Sequence, residues 1–98
     1  MVIVWGCIEI KQGSLQEAIA ISLEHVERSK QEAGCLNHSV QQDVENPQKL
    51  VFYEEWEDLA VLQQHFAVPE SGLFVGRISQ LAVAPPTMKI FEASEVQQ

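Results

Sequence analysis

The sequence predicts an α+β domain of the ferredoxin-like type, in which the element order β-α-β-β-α-β forms an antiparallel sheet covered by helices. Two observations predict it. Two stretches with apolar residues at helical spacing alternate with four stretches that have the composition and alternation of strands. The chain has only 98 residues, of which 46% are hydrophobic, so one small core is all that it can build. We therefore expect residues 1–98 to form a single domain.

The first two elements are a strand and an amphipathic helix. Residues Val2–Ile10 form the first strand candidate. Ser14 with Glu17 three positions later follows the capping-box pattern and predicts a helix start. The residues that recur on one helical face are Leu15, Ile19, Ser22, Val26, Ser29 and Ala33. Gly34 follows the last of them and suits a left-handed C-cap.

The next two elements read as a hairpin. Cys35–Val44 alternates as a second strand, residues 45–48 supply turn residues, and Leu50–Glu57 is the third strand.

The remaining elements are a broken helix and a last strand. Asp58 is placed to cap the helix, and Pro69 interrupts it because proline disfavours helical geometry at the residue before it. A further helical stretch then covers Glu70–Leu81, and Thr87–Ala93 makes the final strand.

Apolar residues occupy both faces of the predicted sheet. In the first strand one face carries Val2, Val4, Ile8 and Ile10, and the other carries Ile3, Trp5 and Cys7. Helices cover only one face of such a sheet, so the second face must be hidden by something else, most simply a copy of itself. We therefore expect a homodimer that packs sheet against sheet.

Charge and cysteine content exclude several classes of partner. A net charge of −8 disfavours nucleic acid and anionic lipid, since both attract clustered Lys and Arg. No segment approaches the roughly 18 apolar residues that span a membrane, and the start of the chain lacks the pattern of a signal peptide. Cys7 and Cys35 do not make a disulfide framework, so we expect reduced thiols and a cytoplasmic protein.

The candidate catalytic residues are Trp56 and His65. Trp56 ends the third strand, and His65 lies about two helical turns into the next element, so a chain that turns at Asp58 brings them together. The pair combines an indole N–H donor with a ring that titrates near neutral pH. The alternative interpretation is that Trp56 is only a core aromatic.

Glu54 differs from the other carboxylates around Trp56 because it shares a strand face with Phe52 and Trp56. If that face meets the helices, burial raises the pKa of Glu54. It could then orient His65 or act as an acid itself. The other acidic residues nearby, Glu57 and Asp58, are better explained by a solvated strand end and a helix cap.

The other two histidines do not predict a metal site. His25 lies between Glu24 and Glu27 and is expected to be solvated, and His38 stands beside Asn37 on the second strand. No pair of histidines has the spacing of a preformed site, so we expect no metal. The alternative is a metal site assembled from residues that are far apart in the sequence. Phosphate-loop and nucleophile-elbow patterns are also missing.

Several short motifs in order resemble the antibiotic biosynthesis monooxygenase (ABM) family. They are Glu32-Ala33-Gly34-Cys35, Pro47, Glu54-Glu55-Trp56-Glu57-Asp58 and His65-Phe66. The resemblance covers nearly the whole chain. It implies a ferredoxin-like fold that dimerises through its sheets into a dimeric α/β barrel, which agrees with the interpretation reached from the residues.

The family includes small cofactor-independent monooxygenases of quinols and aromatic polyketides, haem-degrading enzymes, and proteins of unknown role. For the quinol branch, the resemblance implies that His65 is the base and that Trp56 stacks on the substrate or donates its N–H. The substrate-binding candidates are Trp5, Asn37, Phe52, Glu54 and Phe74. The expected partners are a small electron-rich aromatic, such as a quinol or polyphenol, and molecular oxygen, with no cofactor.

Two departures from the family narrow this expectation. Many members have a second histidine just after the proline that follows the second helix, where this chain has Pro69-Glu70, so any role of that histidine is lost or taken by Glu70. Haem-degrading members use an asparagine, a tryptophan and a histidine at positions that correspond to Gly6, His65 and Val75, so haem degradation is not expected. Two other functions remain open: a non-catalytic ligand-binding or regulatory dimer, and a proton-transfer enzyme such as an isomerase.

Overall fold

A computed structural model describes all of residues 1–98 as four strands and three helices. In chain order these are β1 (Val2–Glu9), α1 (Leu15–Ser29), β2 (Cys35–Gln42), β3 (Lys49–Trp56), α2 (Leu59–Ala67), α3 (Pro69–Gln80) and β4 (Thr87–Glu92). The predicted strands are all present, each within two residues of its expected ends. The second helical region consists of two helices, as the break at Pro69 predicts.

The sheet has the strand order β2-β3-β1-β4, and every neighbouring pair is antiparallel. The central strand β1 pairs with both β3 and β4, so Trp5 lies opposite Tyr53 on one side and Lys89 on the other. This topology confirms the predicted ferredoxin-like α+β fold.

The ends of α1 differ from the prediction. Ser14 is the N-cap residue, as predicted, but its side chain makes no capping hydrogen bond, so the predicted capping box does not form. The helix also ends at Ser29 rather than at Ala33, and the Ser29 hydroxyl donates to the backbone oxygen of His25 at 2.7 Å, within the last turn. Gly34 does adopt a left-handed conformation, with φ of +84°. It belongs to the turn that leads into β2 instead of capping the helix directly.

The junction between β3 and the helices follows the sequence closely. The Asp58 side chain accepts a hydrogen bond from the Val61 backbone N–H at 2.9 Å, which confirms it as the cap of α2. Val68 has an extended ψ of 127°, and Pro69 follows it as the first residue of α3.

The three helices cover one face of the sheet, and the core lies beneath them in two clusters. The cluster under α1 and α3 contains Ile8, Ile10, Ala18, Ile21, Leu50, Ile78 and Ala82. The cluster beside α2 contains Val2, Val4, Trp56 and Leu62. The even-numbered residues of β1 and β3 therefore face inward, which settles which face of the sheet meets the helices.

The opposite face, here called the outer face, has no helix over it. The partly exposed residues of its two central strands are Ile3, Trp5, Cys7, Val51, Tyr53 and Glu55. Strand β4 is exposed along its whole length. Among the helices, none combines the length and the apolar character that crossing a bilayer demands.

Candidate active site

Three histidines from three different elements meet beneath the helices. The ring centre of His25, in α1, lies 5.3 Å from that of His38, in β2, and 5.5 Å from that of His65, in α2. The rings of His38 and His65 are 5.7 Å apart. The expectation that His25 is solvated is wrong: its residue is only 8% exposed, and its ring stacks on Phe74 at 4.0 Å. The inward face of α1 is rotated relative to the predicted stripe, so that it includes Ala18 and His25.

His65 is held by a carboxylate. Its Nδ1 atom lies 2.9 Å from Oε1 of Glu32, which stands in the turn after α1. With Glu32 ionised, Nδ1–H donates this bond and the neutral ring keeps a lone pair on Nε2. The Nε2 atom of His65 makes no hydrogen bond, and unlike the ring nitrogens of His38 it is not fully buried. Burial lowers the pKa of His65, while the hydrogen bond and charge of Glu32 oppose that shift.

Glu32 is itself positioned by Arg28. The Arg28 guanidinium donates to Glu32 Oε2 at 2.9 Å, to His25 Nδ1 at 2.8 Å and to Ser71 Oγ at 3.2 Å. One side chain of α1 thus orients two members of the site. The sequence interpretation did not include Glu32 or Arg28 among the site residues. The available signals were their spacing of four residues and the position of Glu32 within a family motif.

Trp56 and His65 are neighbours, as expected. Trp56 is wholly buried, and its ring centre lies 4.6 Å from that of His65 at a tilt of 36°. The indole N–H, however, donates to Glu54 Oε1 at 2.8 Å. The indole N–H therefore already has a protein acceptor. In this structure Trp56 contacts His65 through its ring and Glu54 through its N–H.

Glu54 is buried, as its strand face predicts. Burial raises its pKa to about 7, even though the indole hydrogen bond favours the charged form. Its Oε1 atom lies 3.4 Å from Nε2 of His38 without making a hydrogen bond. Glu54 does not orient His65, since Glu32 makes that contact. It is a carboxyl group that changes protonation near neutral pH beside the histidines.

His38 is the most enclosed of the three histidines. It has no exposed surface, and neither of its ring nitrogens has a hydrogen-bond partner. Burial, reinforced by the neighbouring His25 and His65, lowers its pKa to about 3, and burial lowers the pKa of His25 to about 3 as well. All three rings are therefore neutral at pH 7.

An apolar cavity of about 100 Å³ adjoins this cluster. His25, Glu54 and His65 contribute to its polar side, and Phe52 and Phe74 to its apolar wall. Three further lining residues are about half exposed and mark the side on which the cavity meets solvent: Phe66, Val75 and Met88. The arrangement places a neutral base and a proton-carrying carboxyl group around a space that suits part of an aromatic ring.

The structure does not bring Trp5 and Asn37 to this cavity. Both lie on the outer face of the sheet, where Trp5 packs near the Lys89 ammonium, 5.8 Å from its ring centre. Asn37 is exposed and lies opposite Glu55. Phe52, Glu54 and Phe74 are the three substrate-binding candidates that do line the cavity.

Comparison with known proteins gives a consistent result. The sequence model of one family, antibiotic biosynthesis monooxygenase, matches residues 1–77. An uncharacterised protein of Synechocystis, sll1783, is 32% identical over 96 residues. This match covers 98% of the present chain and 65% of the Synechocystis protein, so the chain spans about two thirds of its relative's length.

Solved structures share the whole fold. A crystal structure named as an antibiotic biosynthesis monooxygenase is 28% identical, with a TM-score of 0.90 over 97% of this chain and 100% of that one. A protein from Deinococcus radiodurans has a TM-score of 0.94 over 100% of this chain and 97% of its own, and its 22% identity supports the fold alone.

Proposed function

Because the chain belongs to the antibiotic biosynthesis monooxygenase family, we propose that it oxidises a small electron-rich phenol, such as a quinol or polyphenol, with molecular oxygen and without a bound cofactor. One observation carries the proposal. A neutral histidine, His65, is oriented by a carboxylate, Glu32, at the edge of an apolar cavity. This is the machinery that the deprotonation of a phenol requires.

The first step is removal of the phenol proton. Nε2 of His65 accepts it, and the imidazolium that forms is stabilised by Glu32 through Nδ1–H. The phenolate ring lies against Phe52 and Phe74, where little water competes for the developing charge. The pKa of His65 is lowered by burial and supported by Glu32, which keeps the ring unprotonated and ready to act at neutral pH.

The second step is reduction of oxygen by the phenolate itself. A carbon–oxygen bond forms at a ring carbon that bears hydrogen, giving a hydroperoxide. Loss of that hydrogen and cleavage of the O–O bond then release water and leave a quinone. The phenol supplies all four electrons that reduce one molecule of oxygen, so the overall change is phenol plus oxygen to quinone plus water. No external reductant enters this balance.

Glu54 is the acid that we assign to O–O cleavage. Its pKa of about 7 leaves a substantial protonated fraction at neutral pH, and it lines the same cavity as His65. Its Oε1 atom is fixed by the Trp56 indole, so the second oxygen is the one that can carry and deliver the proton. Trp56 therefore acts through Glu54 in this mechanism, as a positioning residue.

Oxygen uptake tests the proposal directly. Purified protein is assayed with a panel of reduced quinols and flavonoid-type phenols in the presence of a metal chelator, beside a His65→Ala variant. We expect uptake above the spontaneous rate, reduced about 10²- to 10⁴-fold by the substitution. A matched control is Gln64→Ala, which changes the exposed neighbour in the same helix. Equal rates in the wild type and His65→Ala would overturn the role of His65.

The same assay separates the other two functions. A proton-transfer enzyme would convert its substrate equally well under nitrogen, because His65 as a base does not itself require oxygen. A ligand-binding dimer would bind the aromatic and change tryptophan fluorescence while consuming nothing.

We also propose that the protein works as a homodimer in the cytoplasm. The uncovered outer face supports the dimer, because its central strands carry apolar side chains such as Trp5 and Tyr53 that no helix shields. The free thiols of Cys7 and Cys35 are compatible with a reducing compartment. Light scattering at micromolar concentration tests the assembly, and a monomeric mass would contradict it.

A further inference from the structure

The three buried histidines are arranged in a way that the proposed oxidation does not use in full. Each can offer one ring nitrogen such that the three atoms all lie within 4.8 Å of one another. Nitrogen ligands around a tetrahedral Zn²⁺ lie about 3.3 Å apart, given Zn–N bonds of about 2.0–2.1 Å. Closing the cluster onto an ion therefore takes side-chain movements of about 1.5 Å or less.

His38 is the observation that points to a ligand. Its ring has no exposed surface, and both of its nitrogens lack a hydrogen-bond partner. Buried polar atoms in folded proteins nearly always have a partner, because an unpaired one is destabilising. The ring centres of the three histidines form a triangle with sides of 5.3, 5.5 and 5.7 Å, so a single ion among them would bind one of the two unpaired nitrogens of His38.

We propose that His25, His38 and His65 together bind one divalent transition-metal ion of the Zn²⁺ class. Imidazole nitrogen suits such ions, and three histidines are a known ligand set for zinc. The Glu54 carboxyl group lies 3.4 Å from His38 and is outside the set of three histidine ligand atoms. Glu32 already accepts a hydrogen bond from Nδ1 of His65, which is the outer contact that usually orients a metal-bound histidine.

The protonation state of the cluster favours binding. A histidine must be neutral to ligate a metal. Burial lowers the pKa of all three rings, so none has to lose a proton at pH 7 before the ion binds.

Arg28 opposes binding in the present arrangement. Its guanidinium donates to Nδ1 of His25 at 2.8 Å, which occupies one lone pair and places a positive charge beside the cluster. Arg28 has two other partners, Glu32 and Ser71, so it can release His25 without losing all of its contacts. Binding therefore requires Arg28 to give up this bond or the His25 ring to turn over.

An ion at this site would regulate the proposed oxidation. His65 would use its Nε2 lone pair as a ligand and would no longer accept a proton. This consequence rests on the proposed function, whereas the metal site itself does not.

NMR spectroscopy of ¹⁵N-histidine-labelled protein gives a direct test. The chain has three histidines, and all of them belong to the cluster, so every imidazole signal reports on this site. The chelator-stripped protein, with Cys7→Ser and Cys35→Ser to exclude thiolate ligands, is titrated with Zn²⁺. We expect one ion per chain and a shift of all three rings together. Unchanged rings, or a shift confined to one of them, would overturn the proposal.

Two variants sharpen the result. His38→Phe removes one ligand and fills the same space. We expect it to weaken Zn²⁺ binding at least tenfold, because even the loss of an outer-shell partner of a metal ligand typically weakens metal binding about 10- to 100-fold. Arg28→Gln removes the competing charge and should tighten binding. Ser22→Ala is the matched control. Like His38, Ser22 is wholly buried and its side chain has no hydrogen-bond partner, but it offers no imidazole. Undiminished binding by His38→Phe would overturn the site.

Oxygen uptake with added Zn²⁺ keeps the two proposals apart. Binding to all three rings with unchanged uptake would support the metal site and overturn His65 as the base. Uptake that depends on His65 but no change in the imidazole signals would support the oxidation and overturn the metal site. Binding together with loss of uptake, restored by a chelator, would support both.

Discussion

The Oε1 atom of Glu32 lies 2.9 Å from the Nδ1 atom of His65, although 33 positions separate these residues in the chain. The contact joins the turn after α1 to the last turn of α2. It fixes the tautomer of the buried ring and leaves its second nitrogen free. A carboxylate that orients a histidine in this way supports a base in many hydrolytic sites, and removing its charge there costs far more rate than binding.

Glu32→Gln should therefore lower the rate of phenol oxidation more than substrate affinity. The Glu32 charge raises the pKa of His65 against burial, so its loss lowers that pKa further and makes the ring a weaker base. We expect kcat to fall at least about tenfold with little change in KM. The acid limb of the pH profile should also move to lower pH. Glu27→Gln, in an exposed pair with Lys30, is the matched control. Unchanged kcat in Glu32→Gln would contradict the role of Glu32.

Local features of the site were predictable from the sequence, and features that depend on helix packing were not. Trp56 and His65 lie on either side of a capped turn at Asp58, so their proximity follows from strand and helix geometry alone. The position of His25 depends on how α1 is rotated over the sheet. Its charged neighbours in sequence predict a solvated residue, but the face that carries Ala18 and His25 packs inward.

Glu32 depends on packing in the same way. It lies beyond the end of α1, and only the turn that closes at Gly34 directs it towards α2. No periodic pattern in the sequence marks such a contact. The residues on the outer face show the converse case. Strand alternation correctly assigned Trp5 and Val4 to opposite faces of the sheet. It could not indicate that the helices and the cavity lie on the face that carries Val4.

The hydrogen bond between Trp56 and Glu54 predicts a non-additive pair of substitutions. Trp56→Phe leaves a buried carboxyl group without its donor, and Glu54→Met leaves a buried indole N–H without its acceptor. Each should lower the free energy of unfolding by about 1–3 kcal/mol. The double variant leaves neither group unpaired, so its loss should fall short of the sum by about 1 kcal/mol or more. Urea denaturation measures all four proteins, and strict additivity would show that the bond contributes nothing.

The buried histidines predict that the fold loses stability in acid. The folded-state pKa of His25 and of His38 is about 3, against an ordinary value of 6.5. Between those values the unfolded chain binds more protons, so the free energy of unfolding falls as pH decreases below about 6.5. Glu54 has the opposite sign: its pKa of about 7 exceeds the ordinary 4.5, so the folded state holds an extra proton between these values.

The two histidines outweigh the one carboxyl group between these pH values, so the free energy of unfolding decreases on acidification. We expect the thermal midpoint to drop by on the order of 5–10 °C from about pH 7.5 to about pH 5. In His38→Phe the drop should be smaller, since one of the groups that gains a proton on unfolding is gone. Calorimetry over this range checks both statements. An identical drop in the variant would assign the acid sensitivity to other groups.

The two helix starts predict a contrast between Asp58 and Ser14. The Asp58 side chain accepts the Val61 N–H at 2.9 Å, whereas the Ser14 side chain makes no capping bond. Asp58→Ala should therefore lower the free energy of unfolding by about 1 kcal/mol, and Ser14→Ala should leave it nearly unchanged. Urea denaturation of the two variants beside the wild type makes the comparison. Equal losses would mean that Ser14 caps α1 after all.

Gly34 allows the turn that carries Glu32 to approach α2. Comparing Gly34 with Gly13 separates the effect of backbone conformation from the effect of this close approach. Gly13 and Gly34 have φ values of +88° and +84°, so alanine is strained at either position. A Cβ atom at Gly13 would meet nothing within 4 Å, whereas one at Gly34 would lie 2.7 Å from Val61 carbons. Gly13→Ala should lower the free energy of unfolding by about 1 kcal/mol, and Gly34→Ala by about 1–3 kcal/mol more.

Part of the excess at Gly34 comes from atoms that can be removed. Val61→Ala takes away two of the three Val61 carbons that such a Cβ would meet and keeps the Val61 Cβ, which is also 2.7 Å away. Gly34→Ala should therefore cost less in a Val61→Ala background than in the wild type, but still more than Gly13→Ala. Gly13→Ala should cost the same in both backgrounds, because Gly13 has no contact with Val61. Urea denaturation of the complete set measures the difference. If Val61→Ala left the cost of Gly34→Ala unchanged, the Val61 methyl groups would not contribute to the need for glycine at this position.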